Sequence, residues 1–338
     1  MKLKDGEKMK KICLILCVCF LMVGCGKYTV KDAEKDLEKK INGLDGYNLT
    51  GEMEIINNDD VYTYDVDASY SKNDKFRVSL KNKTNNHEQI ILKNSDGVYV
   101  LTPTLNKSFK FQSDWPYNNS QVYLLQTLLS DIQNDSDKEF KETSDNYIFT
   151  TNVNYPNNSD LVKQKIYFDK KLIPTKVEVL NEDEEALIKM TFKKVDLKAE
   201  FKDDYFSLDN NMKTAATESE TETVSKIDGD IYPMYIPENT QLADKETVDL
   251  ENGQRVIMTF EGDSPFMLVE QTASVSDDLA IVSVYGEPYQ MATSVAAVSD
   301  NMVSWISNGI EYYVVADNMS ESELLNVANS ISVLPVSK

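Results

Sequence analysis

Residues 88–132 constrain the fold more than any other stretch, because within 45 residues they join a tight hairpin to one strongly amphipathic helix. Ile90-Ile91-Leu92 and Val98-Tyr99-Val100-Leu101 are short β-branched and aromatic runs separated by Asn94-Ser95-Asp96-Gly97. Asp and Gly tolerate the positive φ that a tight return needs, so the two runs are expected to pair as a hairpin. Thr102-Pro103 ends the second run, Phe109 and Phe111 alternate around Lys110 on a third, and Pro116 closes it. Asn119-Ser120 then reads as an N-cap, followed by Val122, Leu125, Leu128, Leu129 and Ile132 at helical spacing. A helix with such a stripe must bury it, and the sheet is the nearest partner.

The flanking sequence extends both elements. Residues 29–44 form a first helix: Thr29 with Asp32 makes a capping box, and Ala33, Leu37, Ile41 and Leu44 share one face. From Tyr47 to Phe206 the pattern is almost entirely strand, with apolar residues two apart at Tyr62, Tyr64, Val66 and Ala68 and again at Phe76, Val78 and Leu80. Roughly ten short strands at hairpin spacing imply one antiparallel sheet curling on itself. The expected class is therefore α+β: a half-open antiparallel β-barrel with lid helices, over residues 26–208. Residues 209–229, with Thr214 to Thr223 lacking aromatic or periodic apolar residues and rich in Glu, are expected as a flexible acidic linker. Residues 230–338 are expected as a small α+β domain. Its strands lie at 256–260, 266–271, 280–285, 302–306 and 312–315, and its helix opens on a Ser320/Glu323 capping box.

All four cysteines, Cys13, Cys17, Cys19 and Cys25, lie in the first 25 residues. Lys10-Lys11 precede a twelve-residue apolar run, 12–23, that ends at Gly24-Cys25. A basic start and an apolar run too short to span a bilayer describe a secretory signal over residues 1–25, with Met1 or Met9 as the start. Leu21-Met22-Val23-Gly24-Cys25 resembles the bacterial lipobox, which implies lipidation of Cys25 and attachment to the outer face of the cytoplasmic membrane. Two acyl chains are enough for stable anchoring. The whole chain carries 35 Lys and Arg against 56 Asp and Glu, and a formal charge of −21. Such a surface repels nucleic acid and anionic headgroups, so groove binding of DNA or RNA is excluded.

Catalytic chemistry has little to stand on. His87 is the sole histidine and sits beside Asn85 and Asn86 in a turn, so a Ser–His–Asp arrangement would depend on a surface residue. The sequence contains no Gly-rich phosphate loop and no calcium loop, and the acids cluster in turns such as Glu182-Asp183-Glu184-Glu185. No enzyme, cofactor or metal is expected.

Several motifs together carry a family resemblance: Phe76-Arg77, Asp96-Gly97-Val98-Tyr99, the turn at Pro103-Thr104-Leu105-Asn106-Lys107, and Phe168-Asp169 followed by Leu172-Ile173-Pro174. They resemble the LolA/RseB-like lipoprotein-carrier superfamily. The run from Leu101 to Tyr123 is most similar to sporulation and germination lipoproteins of endospore-forming Firmicutes, of the YdcC/GerS type. The resemblance implies a concave face that holds acyl chains or buries a segment of a protein partner. A cortex peptidoglycan-modifying enzyme is among the partners it suggests. A tethered carrier makes poor sense in a Gram-positive envelope, so the first expectation is a non-enzymatic binding lipoprotein acting in sporulation or germination. The alternatives are a lipid or acyl-chain carrier and an RseB-like sensor that regulates an anti-sigma factor. A docking role requires apolar side chains near the lid to stay exposed. Trp115 and Leu124 are expected to do so, with Phe109 and Phe111 on the same face. If these residues fill the core instead, Trp305 and Tyr312-Tyr313 are the next candidates.

Overall fold

The structure is a computed structural model that describes residues 28–57, 60–155, 158–218, 227, 231–251, 253–275 and 278–331. Cys25 with its signal sequence, and most of residues 219–230, lie outside the described residues.

The chain begins with α1 (Val30–Asn42), whose Thr29/Asp32 capping box is formed and whose Ala33, Leu37 and Ile41 are buried. An antiparallel meander follows: β1 (Gly46–Asn57), β2 (Asp60–Ser71), β3 (Lys75–Asn82), β4 (Glu88–Asn94), β5 (Gly97–Thr102) and β6 (Lys107–Phe111). After α2 (Leu125–Asn134) come β7 (Glu139–Glu142), β8 (Asn146–Asn152), β9 (Lys163–Asp169), β10 (Pro174–Leu180) and β11 (Ala186–Asp196). β11 returns to pair with β1, so the two meanders form one sheet. At Gly51 the register with β11 shifts, and an added Cβ would meet the Thr191 carbonyl oxygen at 2.2 Å. Only glycine lets the two backbones approach there.

The end strands of this sheet do not pair with each other, so the barrel stays half-open. Alternation decides which face is inside: Leu49, Met53, Val66, Val78, Ile91, Val100, Ile166, Val177 and Met190 all enter one buried cluster with α1 and α2. The fold is thus mixed α+β and dominated by sheet, as the sequence pattern indicates.

Two local expectations need correction. The second helix begins at Leu125, not at Asn119-Ser120. Ser120 is instead tied to Asn154, donating its N–H to the Asn154 carbonyl (2.8 Å) and accepting from the Asn154 N–H through Oγ (2.9 Å). The hydroxyl that resembles a helix cap therefore secures a loop. The stretch read as a linker from residue 209 opens as α3 (Leu208–Glu218). Its Met212 is buried with Ile90, Leu92, Tyr99, Leu101 and Phe206 on the convex face, and Asn211 accepts from Arg77 Nε at 2.6 Å. Without a periodic apolar stripe this short helix leaves little sequence signal, and contacts of Met212 and Asn211 hold it.

The second half forms a seven-stranded sheet in the order β12-β13-β14-β19-β18-β17-β16. Its strands are β12 (Thr240–Leu250), β13 (Gly253–Gly262), β14 (Phe266–Thr272), β16 (Glu287–Gln290), β17 (Val295–Ser299), β18 (Met302–Ser307) and β19 (Ile310–Val315). α4 (Glu321–Asn329), with its Ser320/Glu323 capping box formed, covers one face through Leu324, Leu325, Val327 and Ala328. β15 (Ala280–Val284) leaves this half altogether and pairs in parallel with β6, which makes the first sheet twelve-stranded. The expected strand is present, but its partner lies in the other half.

Candidate functional site

The concave face of the half-barrel is packed by the chain itself. α2 brings Leu125, Leu128, Leu129 and Ile132, and the segment ahead of it brings Trp115, Val122, Tyr123 and Leu124. The Tyr47 hydroxyl fixes the helix start, donating to Gln126 Oε1 (2.7 Å) and accepting from the Leu125 N–H (3.3 Å). Phe76 meets Trp115 edge-to-face at 6.0 Å, a favoured aromatic geometry. The second half closes the mouth: Ala292, Val295 and Ala297 join the same cluster. Tyr64 donates its hydroxyl to the Ala292 carbonyl (2.6 Å), and the Val295 N–H donates to Gln89 Oε1 (2.7 Å).

What remains at the mouth is a cavity of about 130 Å³, lined among others by Met53, Ile55, Val122, Tyr123 and Met291. Small-molecule sites run to roughly 300–1,000 Å³, and this space corresponds to about four waters. The exposure expected of the lid residues is therefore not found: Trp115 and Leu124 are both 0% exposed and Phe111 is buried. Leu124 lies off the main helical stripe in sequence, yet the helix starts after it. The extended backbone at Leu124 turns the side chain inward. Phe109 alone of the four is half-buried, and it lines a different opening.

That opening is a cleft of about 670 Å³ between the β6–β15 border and the outer face of the second sheet. Phe109, Val282, Val284, Met302 and Tyr313 supply its apolar walls, and Glu287, Asp300 and Glu321 its acidic rim. Lys107 and Glu311 form a buried ion pair across the two halves, and Tyr313 donates its hydroxyl to Glu311 Oε2 at 2.9 Å. Glu287 is the second lock, since it accepts from Ser113 Oγ and from Asn118 Nδ2 (2.6 Å). Burial raises its pKa above the usual carboxylate value, against those two hydrogen bonds, with Asp114 and Glu321 adding to the rise. Asp131 on α2 is pushed up to about 6 by burial, although Ser120 and Gln164 stabilise its charge; Gln164 Nε2 lies at 2.6 Å. It lines a polar cleft with Asn, Ser, Thr and Asp side chains. Among the described residues no group of three or more His, Cys, Asp or Glu is placed to hold a metal ion.

Trp305 and Tyr312 stack at 4.9 Å and are buried under α4, so they belong to the second core. Only Tyr313, on the opposite face, reaches the cleft. The strand at 280–285 is expected from the sequence, but its pairing with β6, and with it the place of β15 and Tyr285 in the cleft, is not. Their single local signal is an apolar strand, 280–284, with no charged residue in it.

The fold and this site define an α+β protein in which a half-open barrel is filled from within and latched to a second sheet by half-buried polar locks. The chain belongs to the YdcC-like sporulation protein family: the family model described as "Sporulation protein YdcC-like" matches residues 8–206. Over 337 residues the chain is 33% identical to the "Sporulation protein YdcC" of Bacillus subtilis (strain 168), covering 96% of this chain and 98% of that one. Among solved structures, that of MucB aligns over 90% of this chain and 98% of its own, with 13% identity and a TM-score of 0.37. The GerS lipoprotein complex with the CwlD amidase of Clostridioides difficile aligns over 53% of this chain and 100% of that one, with 17% identity and a TM-score of 0.31. No enzymatic family is indicated.

Proposed function

We propose that this chain is a non-enzymatic lipoprotein of the cell envelope, anchored through Cys25, that acts in sporulation by binding a protein partner. The observation that carries the reading is the filled concave face. A carrier needs room for acyl chains, and the about 130 Å³ left at the mouth does not provide it. With the interior occupied by Trp115, Leu124 and the α2 stripe, recognition falls to the outer surface, where large and selective contacts are made between proteins. Membership of a sporulation protein family supports the setting.

Three measurements test it. Crosslinking and affinity capture from sporulating cells is expected to yield one stoichiometric protein partner. Native mass spectrometry of protein lacking its own anchor is expected to find no co-purifying acyl species. Abundant bound lipid with no partner would replace this reading with that of a carrier. Cys25→Ala is expected to release the protein from the membrane fraction or to leave an uncleaved precursor. A mature wild-type protein that starts elsewhere would end the anchoring part of the proposal.

A further inference from the structure

Sheet edges are templates for another strand, and proteins normally blunt them with charge, proline or bulges. Among the described residues the two sheets have four edges. β7 carries Glu139, Lys141 and Glu142. β12 carries Asp244, Lys245, Glu246 and Asp249 and shifts register between Leu242 and Asp244. β16 is short, contains Pro288 and is held by the Glu287 lock. β15 differs from all three: its sequence is Ala-Ile-Val-Ser-Val, with Ile281 53% and Val282 44% exposed and Tyr285 76% exposed just beyond it.

The hydrogen-bond geometry fixes what this edge offers. The Ala280 N–H donates to the Asn106 carbonyl at 3.0 Å, so the main-chain groups of Ala280, Val282 and Val284 point at β6. By the two-residue period of a strand, Ile281 and Ser283 point theirs outward, one N–H and one C=O each. Among the described residues no strand pairs with them. Gly286 (φ +146°) then turns the chain sharply into β16; an added Cβ there would meet the Val298 carbonyl oxygen at 1.9 Å. The edge is thereby held beside the 670 Å³ cleft.

We propose that β15 is a strand-addition site for an extended segment of a protein partner in which lysine or arginine alternates with apolar residues. The proposal rests on the partner-binding reading above and gives it a place. Side chains of an added strand that flank Val282 would share its face and enter the cleft, whose rim is Glu287, Asp300 and Glu321 while Lys107 is already neutralised by Glu311. Basic side chains suit that rim. The intervening apolar residues would lie beside Ile281 on the other face. A second copy of this chain fits poorly, because pairing two β15 edges would bring two acidic rims together on molecules of charge −21. Main-chain pairing would supply affinity, and the acidic cleft would supply selectivity.

The test uses the full chain with Cys25 replaced, and labelled peptides of alternating lysine and valine, or of glutamate and valine. The lysine peptide is expected to bind about tenfold or more tightly than the glutamate peptide, with the preference falling as salt is added. Ser283→Pro removes an outward N–H together with the Ser283 hydroxyl and leaves the β6 pairing intact. It is expected to weaken the lysine peptide about tenfold with an unchanged melting temperature. Asp300→Asn with Glu321→Gln should narrow the preference between peptides without abolishing binding. Hydrogen exchange should slow at Ile281 and Ser283 when the lysine peptide is bound. Equal binding of both peptides, unimpaired binding by Ser283→Pro, or a dimer that Ser283→Pro dissolves would overturn the site. If Ser283→Pro still captures the cellular partner, the partner reading survives and this location fails; absence of any partner for the wild type defeats the reading itself.

Discussion

The two concave regions of this molecule have opposite fates. The hollow of the half-barrel is filled to about 130 Å³ by the protein's own helices, whereas the angle between the two sheets is left open at about 670 Å³. The first is lined by apolar residues that alternate along eleven strands and need a cover. The second is lined by a mixture: three valines, a phenylalanine, two tyrosines, a methionine, four acids and the lysine that one of those acids neutralises. A hollow that the chain can fill with its own hydrophobic stripe becomes core, while a junction walled by acids and half-buried aromatics has no such filler. Binding in this fold is therefore to be sought where the two halves meet.

Substitutions break or sharpen that contrast. Leu124→Asp, which puts a carboxylate among fully buried side chains, is expected to abolish folding, and Trp115→Ala to cost about 3–5 kcal/mol in urea unfolding. Near-wild-type stability of either variant would mean that the hollow is open after all. The next effect belongs to the latch. Lys107→Met leaves Glu311 buried without its cation and should cost about 3–5 kcal/mol, most of it recovered by adding Glu311→Leu. If the single variant is neutral, the two halves are not held by this pair.

Asp131 gives a smaller, pH-dependent effect. Its native pKa of about 6 exceeds the ordinary 3.8, so the folded protein holds this proton more tightly than the unfolded chain does. Its contribution is therefore complete at low pH and declines as pH rises from about 4 through about 6, by on the order of 3 kcal/mol. Urea midpoints should show wild type losing stability relative to Asp131→Asn across that window. A parallel pair of curves would place the carboxylate in water. The smallest effect is expected on the open side: Tyr285→Ser, at a 76% exposed position, should change stability by less than about 0.5 kcal/mol.

Much of the architecture is legible in the sequence because it is local. The Thr29/Asp32 and Ser320/Glu323 boxes, the Asp96-Gly97 return and the strand alternation each act over a few residues, and all appear where the pattern puts them. What escapes is what depends on distant partners. β12 is not among the strands expected from the sequence, because acids and Lys245 interrupt its few apolar residues at an exposed edge. Ser120 has the chemistry of a helix cap, but its partner is Asn154. The pairing of β15 with β6 leaves no mark in either strand, since a parallel neighbour contributed from far along the chain demands no special turn. The candidate site follows the same rule: Phe109 is named by the sequence, and Val282, Val284 and Tyr285 become its neighbours only through that pairing.

That pairing also sets an order of events during synthesis. The sheet that contains Phe109 and Phe111 gains its last strand only after residues 112–279 have followed it out of the ribosome. Until then β6 is a bare edge, bordered by Val100 and the two phenylalanines, in a chain whose nearer elements have already folded. Contacts this remote form late, and uncovered edges recruit other chains meanwhile. The first half is thus born incomplete, and the second half supplies the strand that covers the β6 edge and becomes the new edge in its place.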